Sequence, residues 1–119
     1  MKGNDNFIAN GIQELLLDIG IPTNLLGFAY ITSAVQLALN NVEYTFRMTK
    51  LLYIDVAKQF NTSPKSVERC IRHAITVGWS CGSTECIDQI FKNSINPARG
   101  VPTNSQFITR LYLYFIARQ

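Results

Sequence analysis

Apolar residues recur along this chain at helical spacing. Between residues 6 and 19, Ile8, Ile12, Leu15, Leu16 and Ile19 fall on one face of a helix. Gly20 and then Pro22 end that pattern. Asn24 is placed to cap a second helix running to about Asn40, so dense in apolar residues that it reads as the central buried element. Gly27 inside it marks either a close approach or a weak point. After a polar stretch from Asn40 to Glu43, residues 49–60 carry Leu52, Val56 and Phe60 on one stripe. Asn61-Thr62-Ser63-Pro64 interrupts them, with Ser63 a natural N-cap and Pro64 at the first helical position. The next helix is predicted to run from Pro64 to Trp79 or Ser80. Gly82 closes it, and Ser83 caps a shorter helix through Ile87, Ile90 and Phe91. Residues 93–102, with Pro97, Gly100 and Pro102, read as a loop. Thr103 and Gln106 form a capping box that opens a last helix over 104–118. The expectation is an all-α domain of about six helices spanning residues 1–119.

Two helices joined by a short turn, over about residues 49–80, have the helix-turn-helix arrangement. At about 100° per residue from Pro64, Val67, Ala74, Gly78, Ile71 and Ile75 fall between about 280° and 20°. Lys65, Arg69, Arg72, Thr76 and His73 fall between about 80° and 180°. One side of this helix buries itself, and the other presents cations, a histidine and hydroxyls.

Charge sharpens that contrast. The chain carries 11 basic and 8 acidic residues, a formal charge of +3. Arg47, Lys50, Lys58, Lys65, Arg69 and Arg72, against Asp55 and Glu68, give residues 47–73 a net +4, and the rest a net −1. The whole positive excess lies in the helix-turn-helix, as the electrostatics of a nucleic-acid-binding module require. The planar fork of arginine can donate to both guanine acceptors in the major groove, and a glutamate can accept from a cytosine amino group. Glu68 is therefore a candidate base reader, or a partner that orients Arg72 four residues on. Ser63, Lys65 and Ser66, at the helix start, are placed for phosphate.

Other chemistries find little support. His73 is the single histidine, and Cys70, Cys81 and Cys86 form no C-x-x-C pair, so no metal set, cofactor site or catalytic constellation is legible. Cys70 sits at the edge of the buried face and reads as core filler; Cys81 and Cys86 read as reduced thiols that oxidation could bridge. Trp79 reads as packing, and Tyr30 and Tyr53 as rim-of-core residues. There is no signal-peptide-like apolar segment at the start. The longest apolar run, Leu111 to Ala117, is too short to span a bilayer. The expected setting is cytoplasmic and nucleoid-associated, with no membrane partner and no enzymatic role.

The run VAKQFNTSPKSVERCIRHAITVGWSCG closely resembles the C-terminal DNA-binding effector domain of the stage zero sporulation protein A family, the sporulation master response regulators. The likeness extends upstream through IGIPTNLLGFAYI and TKLLY and downstream through PTNSQFI, covering roughly residues 12–109. It implies a six-helix domain reading a promoter box in double-stranded DNA, activating or repressing transcription at sporulation entry. It further implies base contacts by Glu68, Arg69 and Arg72, beside which Lys58, Ser63, Lys65, Ser66 and His73 are read from their own charge and placement as phosphate or flanking contacts. Tandem homodimers on DNA, with the last helix in the contact, and an RNA polymerase sigma factor as partner are implied too.

The chain departs from the family pattern in three places. Its length leaves no space for the phosphorylated receiver of full-length members, so it reads as an excised effector domain or a stand-alone paralogue. Ser66 stands where the family has an arginine, a loss for which Lys65 compensates in part. The end TRLYLYFIARQ is unusually aromatic, with Tyr112, Tyr114 and Phe115 on more than one side of a helix, which reads as packed core first and, on a side left exposed, as a candidate self-association surface. The last two features motivate an alternative: a protein-interaction module or antagonist that pairs with a full-length regulator.

Overall fold

The computed structural model describes residues 2–81, 84–91 and 100–118, and among them it is helical with no strand. The elements are α1 (Lys2–Ile19), α2 (Leu26–Asn40), α3 (Glu43–Phe46), a π-helical turn (Met48–Leu52), α4 (Tyr53–Phe60), α5 (Pro64–Cys81), α6 (Thr84–Phe91) and α7 (Asn104–Ile116). The all-α expectation holds, with two refinements. The polar stretch after α2 leads into a further one-turn helix, α3, and the segment predicted as one helix over 49–60 begins as the π turn. Arg47 accepts from the amides of both Leu51 and Leu52, which widens that turn.

Helix α1 buries Ile12, Leu15, Leu16 and Ile19, the predicted face. It ends on Gly20 at φ 108°, where the Gly20 amide bonds to the Leu17 carbonyl and that of Ile21 to the Leu16 carbonyl. This Schellman pairing satisfies the last carbonyls of α1 and buries Ile21. Asn24 does not cap α2. The helix starts two residues later, behind an extended Leu25 that makes no side-chain cap. There the Leu25 amide bonds to the Pro22 carbonyl and the Phe28 amide to the Leu25 carbonyl.

Helix α2 is the central element, packed on α1, α5 and α7. It buries Phe28, Tyr30, Ile31, Ala34, Val35 and Ala38. Its buried hydroxyls are answered: Thr32 donates to the Phe28 carbonyl, and Ser33 bonds to the Gln59 side chain. Phe107, Ile108 and Leu111 of α7 complete the core with Val67, Ile71 and Ile75 of α5. The predicted closing Gly82, the Ser83 cap and most of the loop over 93–102 lie outside the described residues, as do the side chains of Cys81 and Cys86.

Candidate nucleic-acid interface

The turn between α4 and α5 is built from the residues that interrupt the helical pattern. Asn61 adopts the left-handed conformation, φ 54° and ψ 50°, which asparagine tolerates better than most side chains. The amides of Asn61 and Thr62 both bond to the Ala57 carbonyl, closing α4. Ser63 then caps α5, its Oγ accepting from the Ser66 amide at 3.1 Å. Three residues thus join two helices in the helix-turn-helix corner.

The orientation of α5 is set on both flanks. On one, α2 crosses at Gly27. A Cβ there would lie 2.3 Å from the Cys70 carbonyl oxygen and 2.6 Å from Ala74 Cβ, so only glycine permits this approach. On the other, the first residue of α7, Asn104, is a buried polar side chain. Its Nδ2 donates to the Glu68 carbonyl of α5 at 3.0 Å and to the Tyr53 hydroxyl of α4 at 3.2 Å. The Thr103–Gln106 capping box holds that end of α7 in place, with bonds of 3.1 and 2.9 Å. Burial pushes the Tyr53 hydroxyl above its usual pKa, against the smaller opposing effect of the Asn104 bond. Asn104 escapes sequence reasoning because an asparagine after a capping threonine looks like an exposed first-turn residue. The signal available was its place on the same turn as the apolar Phe107 and Ile108.

Between these flanks α5 presents the predicted polar arc. Lys65, Arg69, Arg72, His73 and Thr76 are exposed, while Val67, Ile71, Ala74, Ile75 and Gly78 are buried. Cys70 is half-buried at the edge, with Ser66 Oγ 4.0 Å from its sulfur. Ser66 is half-buried, whereas Ser63 and, on α4, Lys58 are exposed. Glu68 and Arg72 form a bidentate pair, Nε to Oε2 and Nη2 to Oε1, each at 3.1 Å. Glu68 and Arg72 thus make the i,i+4 pair weighed for them. The pair stands in water, so it holds Arg72 in place without locking it. Among the described residues no group of three His, Cys, Asp or Glu side chains is positioned for a metal ion. None of the described helices is long and apolar enough to cross a membrane.

A family model described as sporulation initiation factor Spo0A C terminal matches residues 12–115, the turn, the polar arc and both flanking helices included. The chain belongs to the Spo0A C-terminal family. It is a response-regulator effector domain of sporulation-related transcription regulation, a DNA-binding family and not an enzyme family. In this member of the Spo0A C-terminal family, α5 presents an outward face that is both cationic and fixed at two sides.

At the end of α7, the aromatic tail packs its rings partly inward. Tyr112, Tyr114 and Phe115 are all half-buried. Phe115 stands edge-on to Tyr114, and the Arg118 guanidinium lies 3.5 Å above the Tyr114 ring. The exposed apolar residues there are Leu113 and Ile116. Trp79 packs against Phe91 and Phe107, as core rather than as a stacking platform. Tyr30 is buried against Phe60, and Tyr53 is buried as well.

Proposed function

We propose that this chain reads a promoter box in the major groove through α5, acting as a sequence-specific regulator of sporulation initiation. The observation that carries this reading is the exposed arc of Lys65, Arg69, Arg72 and His73 on a helix held by Gly27 on one flank and Asn104 on the other. A reader of bases needs its side chains fixed in register, and a helix clamped at two sides supplies that. Arg69 and Arg72 donate to base edges. Glu68 holds Arg72 until DNA arrives and then accepts from a base amino group. Ser63, Lys65, Ser66, His73 and Lys58 serve phosphates or flanking positions. The Ser63 oxygen already accepts the Ser66 amide, so its O–H is the group left to donate. The family relation supports tandem pairing on DNA, a sigma factor of RNA polymerase as partner, and a cytoplasmic, nucleoid-associated setting.

The test is titration against a duplex carrying the family's promoter box and a scrambled duplex, at two salt concentrations. Tighter binding to the box is expected. Arg69→Ala and Arg72→Ala should each cost about 1–3 kcal/mol on the box and relax preference at one base pair. Lys58→Ala should weaken both duplexes alike. Equal affinity of the wild type for the two would overturn sequence-specific reading. The half-buried Ser66 in place of a family arginine, with exposed Leu113 and Ile116, favours one second reading: a module that pairs with a full-length regulator. Co-sedimentation with that regulator, and no shift of either duplex, would select it.

A further inference from the structure

The positive excess of residues 47–73 is larger than α5 and Lys58 account for: Arg47 and Lys50 lie on the π turn and its approach. Both are exposed, and with Thr45, Phe46, Thr49 and Ser105 they line an open cleft of about 360 Å³. Its lining joins two cations to the hydroxyl-bearing Thr45, Thr49 and Ser105. Lys50 makes no ion pair among the described residues. Among the described residues Arg47 pairs only with Glu43, at 3.8 Å, with both side chains more than half exposed. Such a surface pair contributes little and exchanges readily for a stronger anion.

The position of the cleft ties it to the reading helix. Ser105 follows Asn104, whose side chain bonds the Glu68 backbone of α5, and the π turn runs directly into Tyr53, which accepts from the same Asn104. One buried amide therefore holds the α4 and α5 ends of this edge together, and the cleft begins one residue beyond it. Glu68 lies at the border of the polar arc, between buried Ile75 and exposed Arg72, and Ser105 of the cleft stands one residue from the Asn104 that bonds the Glu68 backbone.

We infer that the Arg47–Lys50 cleft is a second anchoring point for the sugar-phosphate backbone of DNA, gripping phosphates beside the base pairs that α5 reads. The inference rests on the DNA-reading role of α5. The backbone runs past any helix seated in the major groove, and a patch of two cations with hydroxyls one residue from that helix's clamp is placed to meet it. Exposed Phe46 supplies an apolar surface beside the two cations. Glu43 competes with phosphate for Arg47 and sets how tightly the cleft holds.

The experiment compares wild type, the double variant Arg47→Ala/Lys50→Ala, Glu43→Gln, Arg69→Ala and the remote control Arg118→Ala, on box and scrambled duplexes across a salt series, with hydroxyl-radical footprinting. The double variant should bind both duplexes more weakly by the same factor. It should make the slope of log affinity against log salt shallower by about 2, and lose protection at one edge of the footprint. Glu43→Gln should tighten both duplexes, and Arg118→Ala should change neither slope nor footprint. All five changes lie at exposed side chains, and unchanged thermal melts confirm intact folds. An unchanged slope and footprint in the double variant, while Arg69→Ala still loses preference for the box, overturns the cleft and leaves the α5 reading standing. That outcome would leave the patch to an acidic protein partner. A shallower slope with an intact footprint also overturns it, because the cations then act only through long-range field. If the wild type binds neither duplex, both readings fall.

Discussion

Asn104 shows how much a single buried amide can organise. It bridges α4 and α5 from the first residue of α7, and no water-facing alternative exists for a side chain that is 8% exposed. Replacing it with leucine would leave the Tyr53 hydroxyl without its donor and the Glu68 carbonyl without its side-chain partner. Asn104→Leu should therefore cost about 1–3 kcal/mol in chemical denaturation, more than Tyr53→Phe, which removes only one end of the network. The same network predicts alkaline behaviour. Burial raises the folded pKa of Tyr53 above the ordinary value of 10.0. The folded protein then holds this proton more tightly than the unfolded chain does. The stability this contributes is complete below about pH 10 and is lost as pH rises through the folded value. Denaturation midpoints should fall in that window, and in Tyr53→Phe the fall should be smaller. An identical pH profile in the variant would show that Tyr53 does not titrate with unfolding. Tyr44, whose hydroxyl bonds Asp55 at 2.6 Å, shifts upward for that hydrogen bond first and stays in the variant as an internal reference.

At the scale of elements, the polar and apolar faces of α5 were legible because burial follows the 3.6-residue period whatever the neighbours are. The two strong caps were legible too, since Ser63 and the Thr103–Gln106 box act through local backbone amides. The start of α2 was not. Asn24 has the right chemistry, yet the chain leaves the Gly20 turn with Leu25 extended, and tertiary packing sets the first turn instead. Helix α3 and the π turn were missed because segments of four or five residues are too short to show a period, and the Arg47 carbonyl accepting two amides is a tertiary outcome. Gly27 was left open between close packing and weakness, and the structure decides for packing. The α2–α5 crossing makes a direct prediction. Gly27→Ala places a methyl within 2.3 Å of backbone that cannot retreat without moving α5. Ordinary overpacking costs about 1–3 kcal/mol, and a clash with a main-chain carbonyl belongs at or above the upper end. If the variant still folds, α5 must have shifted, so box affinity should drop further than scrambled affinity. A fully stable variant with unchanged box preference would show that α5 is not held in register at this crossing.

The molecule carries its positive excess in one stretch of chain, and the contacts that stretch makes fix the form of its salt response. Residues 47–73 hold +4, while the remainder holds −1, including Glu14 and Asp18 beside the aromatic rings of the α1–α7 groove. Each phosphate neutralised releases condensed counterions, so the slope of log affinity against log salt counts contacts rather than net charge. If Lys58, Lys65, Arg47 and Lys50 each meet one phosphate, the slope on scrambled duplex should be about −3 to −5. Removing acidic charge from α1, as in Glu14→Gln/Asp18→Asn, raises the net charge by two but adds no contact. That variant should bind somewhat faster at low salt and keep the wild-type slope, because charges more than about 10 Å from phosphate are screened at 0.1 M salt. Lys65→Ala, which lowers net charge by only one, should make the slope shallower by about 1. A slope that followed net charge, steepening in the α1 variant as much as it shallows in Lys65→Ala, would mean that DNA does not settle on the α4–α5 face.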